Sequence, residues 1–113
     1  MAAENRREIG FAADRVTFVP NGVDLARFRP DSAARQATRA RLGIPPNAPL
    51  LAIATRLEAE KGVQVAIDAL GRAQENVAAV RMVVAGQGSH LDALDRQVRR
   101  LSLSQRVTFL GLV

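Results

Sequence analysis

Three short apolar runs, LLAIA at 50–54, VRMVV at 80–84 and RVTFL at 106–110, are separated by two stretches with helical periodicity. That alternation constrains the chain more than any other feature. The first run has no polar–apolar alternation, which predicts a strand buried on both faces. Between the first two runs, Val63, Ala66, Ile67, Leu70 and Ala73 fall on one helical stripe, predicting a helix over 62–73. Between the second and third, Leu91, Leu94, Val98 and Leu101 form a second stripe, with Ser89 as the expected N-cap. Strand, helix, strand, helix, strand with short connections is half of a doubly wound parallel sheet. Right-handed crossovers bring the carboxyl ends of all three strands to one edge. Half a sheet leaves its edges uncovered, so the expectation is a piece that does not stand alone.

Upstream of Pro45-Pro46 the sequence reads differently. A short helical start precedes the strand-like Val16-Thr17-Phe18-Val19, and Pro20-Asn21-Gly22 is a turn signal. Residues 32–42 read as a helix ended by Gly43 and the prolines. Residues 1–48 are therefore expected to be a lead-in or linker, and residues 49–113 the first half of a Rossmann-like domain.

Several functions are excluded by what is missing. There is no cysteine and His90 is the only histidine, which removes disulfides, thiolate chemistry and cysteine- or multi-histidine metal centres. No metal site is expected. The start, MAAENRREIG, has no apolar stretch of signal-peptide type, and no run approaches the roughly 20 residues of a membrane span, so a cytoplasmic location is expected. The net charge of +5 raises the question of nucleic acid. The arginines are dispersed, though, and many stand one helical turn from an acid, as in Asp68/Arg72, Asp92/Arg96 and Asp95/Arg99. Tyrosine and tryptophan are absent, so stacking platforms are lacking, and no nucleic-acid partner is expected.

In open α/β sheets ligands bind beyond the carboxyl ends of the strands. Two connections leave from that edge. The first, TRLEAEKG at 55–62, carries Arg56, a bidentate fork for phosphate oxygens, and Lys61, a compact charge and the only lysine. It opens a helix, whose free N–H groups attract anions, and Gly62 allows close approach of a ligand. The residues alone leave two readings: a diphosphate pocket, or Arg56 and Lys61 paired with Glu58 and Glu60 on a solvated surface. Glu58 and Glu60 themselves read as solvated loop acids on a mobile connection, without a partner to shift a pKa. The second connection is Gly86-Gln87-Gly88. Its glycines suit a tight turn or close passage of a ligand or neighbouring loop. A dinucleotide fingerprint would need glycine or alanine at Leu91, which counts against NAD. His90, beside this turn, is either an exposed polar side chain or a hydrogen-bonding ligand contact.

The ordered segments VPNGVDLARFRP (19–30), RLGIP (41–45), LAIATRLEAEKG (51–62), MVVAGQGS (82–89) and RVTFLGLV (106–113) resemble the retaining glycosyltransferases of the GT-B fold, group 1 or family 4. The resemblance runs over nearly the whole chain from residue 14. It implies two Rossmann-like domains with a cleft between them, of which this chain holds the interdomain segment and the first half of the C-terminal, donor-binding domain. It implies that Arg56 and Lys61 act in catalysis by contacting the donor diphosphate and neutralising charge on the departing nucleoside diphosphate, without a cofactor or metal. By the same match Asn21 and Gly22 lie near the cleft, Gly62, Gly86 and Gly88 shape the donor pocket, and Leu112-Val113 begin the loop toward the nucleobase. The partners so implied are a nucleotide sugar, an acceptor glycan, lipid or small molecule, and a missing N-terminal acceptor domain. Any peripheral membrane contact would belong to the parent protein.

Two departures stand out. The family usually has glycine where this chain has Thr55, and its downstream E-x7-E glutamates are not in this sequence. The piece alone is therefore expected to be inactive. The alternative is a free-standing nucleotide-binding module without catalysis.

Overall fold

The computed structural model describes residues 15, 17–73, 77 and 79–113. The chain divides into two compact units, 1–32 and 33–113, a boundary earlier than the change of sequence character at Pro45-Pro46. Among the described residues no helix is long and apolar enough to cross a membrane.

In the first unit, the short helical start expected before residue 15 and Val16 lie outside the described residues. Thr17, Phe18 and Val19 do not form the expected strand, nor do Asn21 and Gly22 form the expected turn. The turn falls at 25–27 instead. Its organiser is Asp24, whose Oδ1 accepts the backbone N–H groups of Ala26 at 2.9 Å and Arg27 at 3.1 Å. Such local side-chain-to-backbone bonds displace the turn that Asn-Gly would otherwise nucleate. The Arg27 guanidinium then sits 5.2 Å from the centre of the Phe28 ring.

All but the first residue of helix α1 (Ser32–Arg41) belongs to the second unit. Gly43 stops it as expected, with φ +64 and the Ile44 N–H returning to the Arg39 carbonyl at 2.9 Å. That left-handed residue closes a Schellman-type end, where glycine carries no Cβ penalty. Arg39 is buried, and its Nη1 donates to the carbonyls of Pro45 at 2.9 Å, Pro46 at 3.2 Å and Ala48 at 2.9 Å. Prolines lack the N–H groups that would organise this stretch, so one guanidinium does so.

Three strands follow, β1 (Leu50–Ala54), β2 (Arg81–Ala85) and β3 (Val107–Gly111), pairing in parallel in the order β1-β2-β3. Helices α2 (Val63–Ala73) and α3 (Leu91–Arg100) connect them. This is the Rossmann-like α/β half-domain expected from the apolar runs. Register runs from Leu50 opposite Arg81 to Ala54 opposite Ala85, and slips by one residue where Ala85 meets Gly111.

The main core is made by one face of the sheet, Met82, Val84 and Val107, against Val63, Ile67 and Leu70 of α2 and Leu94 and Val98 of α3. Both helical stripes thus face inward as their spacing predicts. Burying a side chain such as Ile67 contributes about 2 to 3 kcal/mol. On the other face Val83 packs with Ile44 and Ala48. Strand β2 is buried on both faces, but β1 is not: Leu51 is 48% exposed. The expectation of a doubly buried first strand fails because Leu51, Ala52 and Ala54 are left exposed, so the continuous apolar run reports composition rather than coverage.

Candidate functional site

The carboxyl ends of the three strands are stitched together by backbone hydrogen bonds. The Thr55 N–H donates to the Ala85 carbonyl at 3.0 Å, and the Gly86 N–H to the Gly111 carbonyl at 2.7 Å. Above these ends lies an open cavity of about 210 Å³, lined by Ala54, Thr55, Arg56, Ala85, Gly86, Gln87, Leu112 and Val113. The fold therefore brings Arg56, Gly86, Leu112 and Val113, far apart in sequence, to one depression at the edge where doubly wound sheets hold ligands. Lys61, Gly62 and Gly88 do not line it.

The first connection is anchored by Leu57, which is fully buried in the main core. Its N–H donates to the Gln87 carbonyl at 2.9 Å, and its carbonyl accepts the His90 N–H at 2.9 Å. With Leu57 fixed inward, its neighbours Arg56 and Glu58 are turned outward. The close passage explains the glycines of the second connection. A Cβ on Gly86, where φ is +134, would overlap the Thr55 carbonyl oxygen, and one on Gly88 would overlap the Leu57 carbonyl. Of the uses left open for these glycines, the structure identifies passage of a neighbouring loop.

Glu58 corrects the sequence reading. It is solvent-accessible, as expected of a loop acid, but it is not without a partner. One carboxylate oxygen accepts the Ser89 hydroxyl at 2.6 Å and the other accepts the Ser89 N–H at 3.2 Å. These bonds hold its carboxyl below the usual carboxylate range, with Arg56 and His90 adding smaller favourable charge. The expected N-cap role of Ser89 fails for the same reason. His90 takes the cap position of α3, with no side-chain cap bond, because the Ser89 hydroxyl is committed to Glu58.

Arg56 is drawn toward Glu60, with Nη2 3.6 Å from a carboxylate oxygen and both side chains about two-thirds exposed, 70% and 65%. An exposed pair of this length contributes about 0 to 1 kcal/mol, so a phosphate can take the guanidinium from Glu60 at little cost. The surface ion pair of the plainer reading exists, and it leaves Arg56 available. Lys61 ends a single 3-10 turn, Ala59–Lys61, on the same connection and is exposed. Gly62 follows with φ +72, and its N–H returns to the Ala59 carbonyl at 3.3 Å. A Cβ there would meet nothing within 4 Å, so glycine is needed for the left-handed backbone.

Asn21 and Gly22 lie in the first unit and are exposed. His90 is half-buried and borders a separate open groove of about 430 Å³ on α3 with Ala93, Arg96, Gln97 and Arg100. Beside that groove the Gln97 Nε2 reaches α2, donating to the Gln64 carbonyl at 2.9 Å and the Asp68 carboxylate at 2.6 Å. Of the helix-face ion pairs expected, Asp95–Arg99 forms at 2.8 Å, whereas Asp68 receives Gln97. Sequence reasoning missed Leu57 and Glu58 as builders of this site. The apolar Leu57 amid charged neighbours was the signal available for the first.

The family described as glycosyl transferases group 1 matches residues 34–113. Over 100 residues the chain is 39% identical to a D-inositol 3-phosphate glycosyltransferase of Xylanimonas cellulosilytica, covering 85% of this chain and 23% of that protein. Over 99 residues it is 32% identical to a GDP-mannose-dependent alpha-(1-6)-phosphatidylinositol monomannoside mannosyltransferase of Mycobacterium tuberculosis, covering 88% and 26%. Among solved structures, Anabaena HepE in complex with UDP superposes with a TM-score of 0.84 at 26% identity, over 95% of this chain and 30% of that one. The chain thus spans about a quarter of the length of the curated relatives it matches.

Proposed function

The chain belongs to the group 1 glycosyl transferases, and on that premise we propose that it supplies the donor diphosphate site of a retaining family 4 enzyme with the GT-B fold. The parent protein transfers a sugar from a nucleotide donor to an acceptor with retention. The observation that carries this reading is the cavity where the connections after β1, β2 and β3 meet and Arg56 stands at the rim. As the glycosidic bond breaks, negative charge gathers on the departing diphosphate. Arg56 meets it with a bidentate fork and Lys61 with a point charge, which lowers the barrier without a metal. Gly62, Gly86 and Gly88 hold the two connections in shape, Leu112-Val113 lead toward the nucleobase, and Asn21-Gly22 border the cleft. The acceptor, a glycan, lipid or small molecule, sits on an N-terminal domain of the parent, which works in the cytoplasm. This segment alone is catalytically inactive.

Support for a nucleotide sugar comes from the UDP bound by HepE and the GDP-mannose dependence of the mycobacterial relative. The experiment is an amide NMR titration with UDP, GDP, ADP and NAD. Saturable shifts at Arg56, Lys61 and Gly86–Gly88 with one nucleoside diphosphate are expected. A well-dispersed spectrum indifferent to all four would refute the site.

A further inference from the structure

Resting on the donor-site reading above, we propose that Glu58 is a positioning residue for diphosphate binding, acting through Ser89 to fix the Arg56-bearing connection against the turn after β2. The geometry carries it. Glu58 lies two residues after Arg56, and its carboxylate takes both the hydroxyl and the N–H of Ser89, 31 positions away. Leu57, between them, is clamped by backbone bonds to Gln87 and His90 and buried beneath. The loop is thus pinned at consecutive residues to the opposite turn, and the Arg56 guanidinium swings from a fixed base.

The same bonds have a second effect. Ser89 immediately precedes the cap residue of α3, at the end where a free anion is ordinarily favoured. Glu58 already places a carboxylate there. With that end already holding a carboxylate, an incoming phosphate is left to Arg56, which has only an exposed contact to Glu60 to give up. Glu58 touches neither phosphate nor sugar in this arrangement. Its contribution is the placement of Arg56 and the refusal of a wrong phosphate position.

The test uses the full gene product with UDP, GDP and ADP as probes, comparing Glu58→Gln, Ser89→Ala and Ser89→Thr, with amide hydrogen exchange at 56–62 and 86–90 measured alongside. Loss of the charged hydrogen bonds is expected to weaken the tighter-binding nucleotide about five- to tenfold in Glu58→Gln and Ser89→Ala. Faster exchange in both loops and unchanged circular dichroism should accompany that loss. Ser89→Thr keeps the hydroxyl and is expected to restore affinity to within about twofold of the parent. Ser89→Ala removes one exposed oxygen, so it reports even where Glu58→Gln lowers the yield of folded protein. Affinity unchanged in Ser89→Ala and Glu58→Gln, with the parent binding normally, overturns the positioning role and leaves the donor site standing. Faster loop exchange in the variants of a parent that binds neither UDP, GDP nor ADP overturns the donor reading, and the positioning role with it.

Discussion

The Ser89 hydroxyl donates to the Glu58 carboxylate at 2.6 Å, joining the connection after β1 to the turn after β2. Because the charged form is the one that accepts these bonds, the carboxyl sits below its ordinary value of 4.5. A depressed carboxyl contributes stability that is complete above the unfolded value and is lost as pH falls through the folded one. Thermal unfolding of the parent is therefore expected to lose an increment below about pH 4.5 that Glu58→Gln does not show. Identical acid profiles for the two proteins would contradict it. Arg56 and His90 face the same carboxylate, so the comparison is made with both in place.

Gly86 and Gly88 are expected to resist substitution even in the absence of ligand. Alanine at Gly86 combines φ +134 with overlap of the Thr55 carbonyl, and at Gly88 it overlaps the Leu57 carbonyl. Each substitution should cost about 2 kcal/mol or more, read as a lowered denaturation midpoint. Gly22, with nothing within 4 Å of a built Cβ, should accept alanine with a change of about 0.5 kcal/mol or less.

Leu57→Ala should cost about 2 to 5 kcal/mol, since the side chain is fully buried in the main core. Because Leu57 is also the base of the Arg56 connection, nucleotide affinity should fall even at temperatures where the variant remains folded. A destabilised variant with parental affinity would separate the anchor from the site.

Arg39 joins the end of α1 to the Pro45–Ala48 segment through three carbonyls. Arg39→Ala leaves those acceptors without their donor and should cost about 2 to 4 kcal/mol in chemical denaturation. Arg39→Lys is expected to recover only part of it, because an ammonium does not reproduce the planar fork.

The legible part of this molecule was its periodic part. Val63, Ile67 and Leu70, and Leu94 and Val98, announce their helices because burial repeats with the helical turn. Gly43 announces a stop because only a left-handed residue ends α1 that way. What escaped was non-periodic. The Glu58–Ser89 pair spans 31 positions and exists only once two strands are in register. Arg39 reads as one more surface arginine until the prolines wrap around it. Leu51 reads as core but is 48% exposed, a matter of what packs over it rather than of its own run. At the site, Arg56 and the glycines were visible as residue types, whereas the loop passage that fixes their roles was not.

The most direct test is turnover of the full gene product with its nucleotide-sugar donor, comparing the parent with Arg56→Ala. Loss of a charge contact to the departing diphosphate predicts a fall of roughly 10²-fold or more in kcat. A near-parental rate, with the fold intact by circular dichroism, would contradict the placement of the donor diphosphate at Arg56.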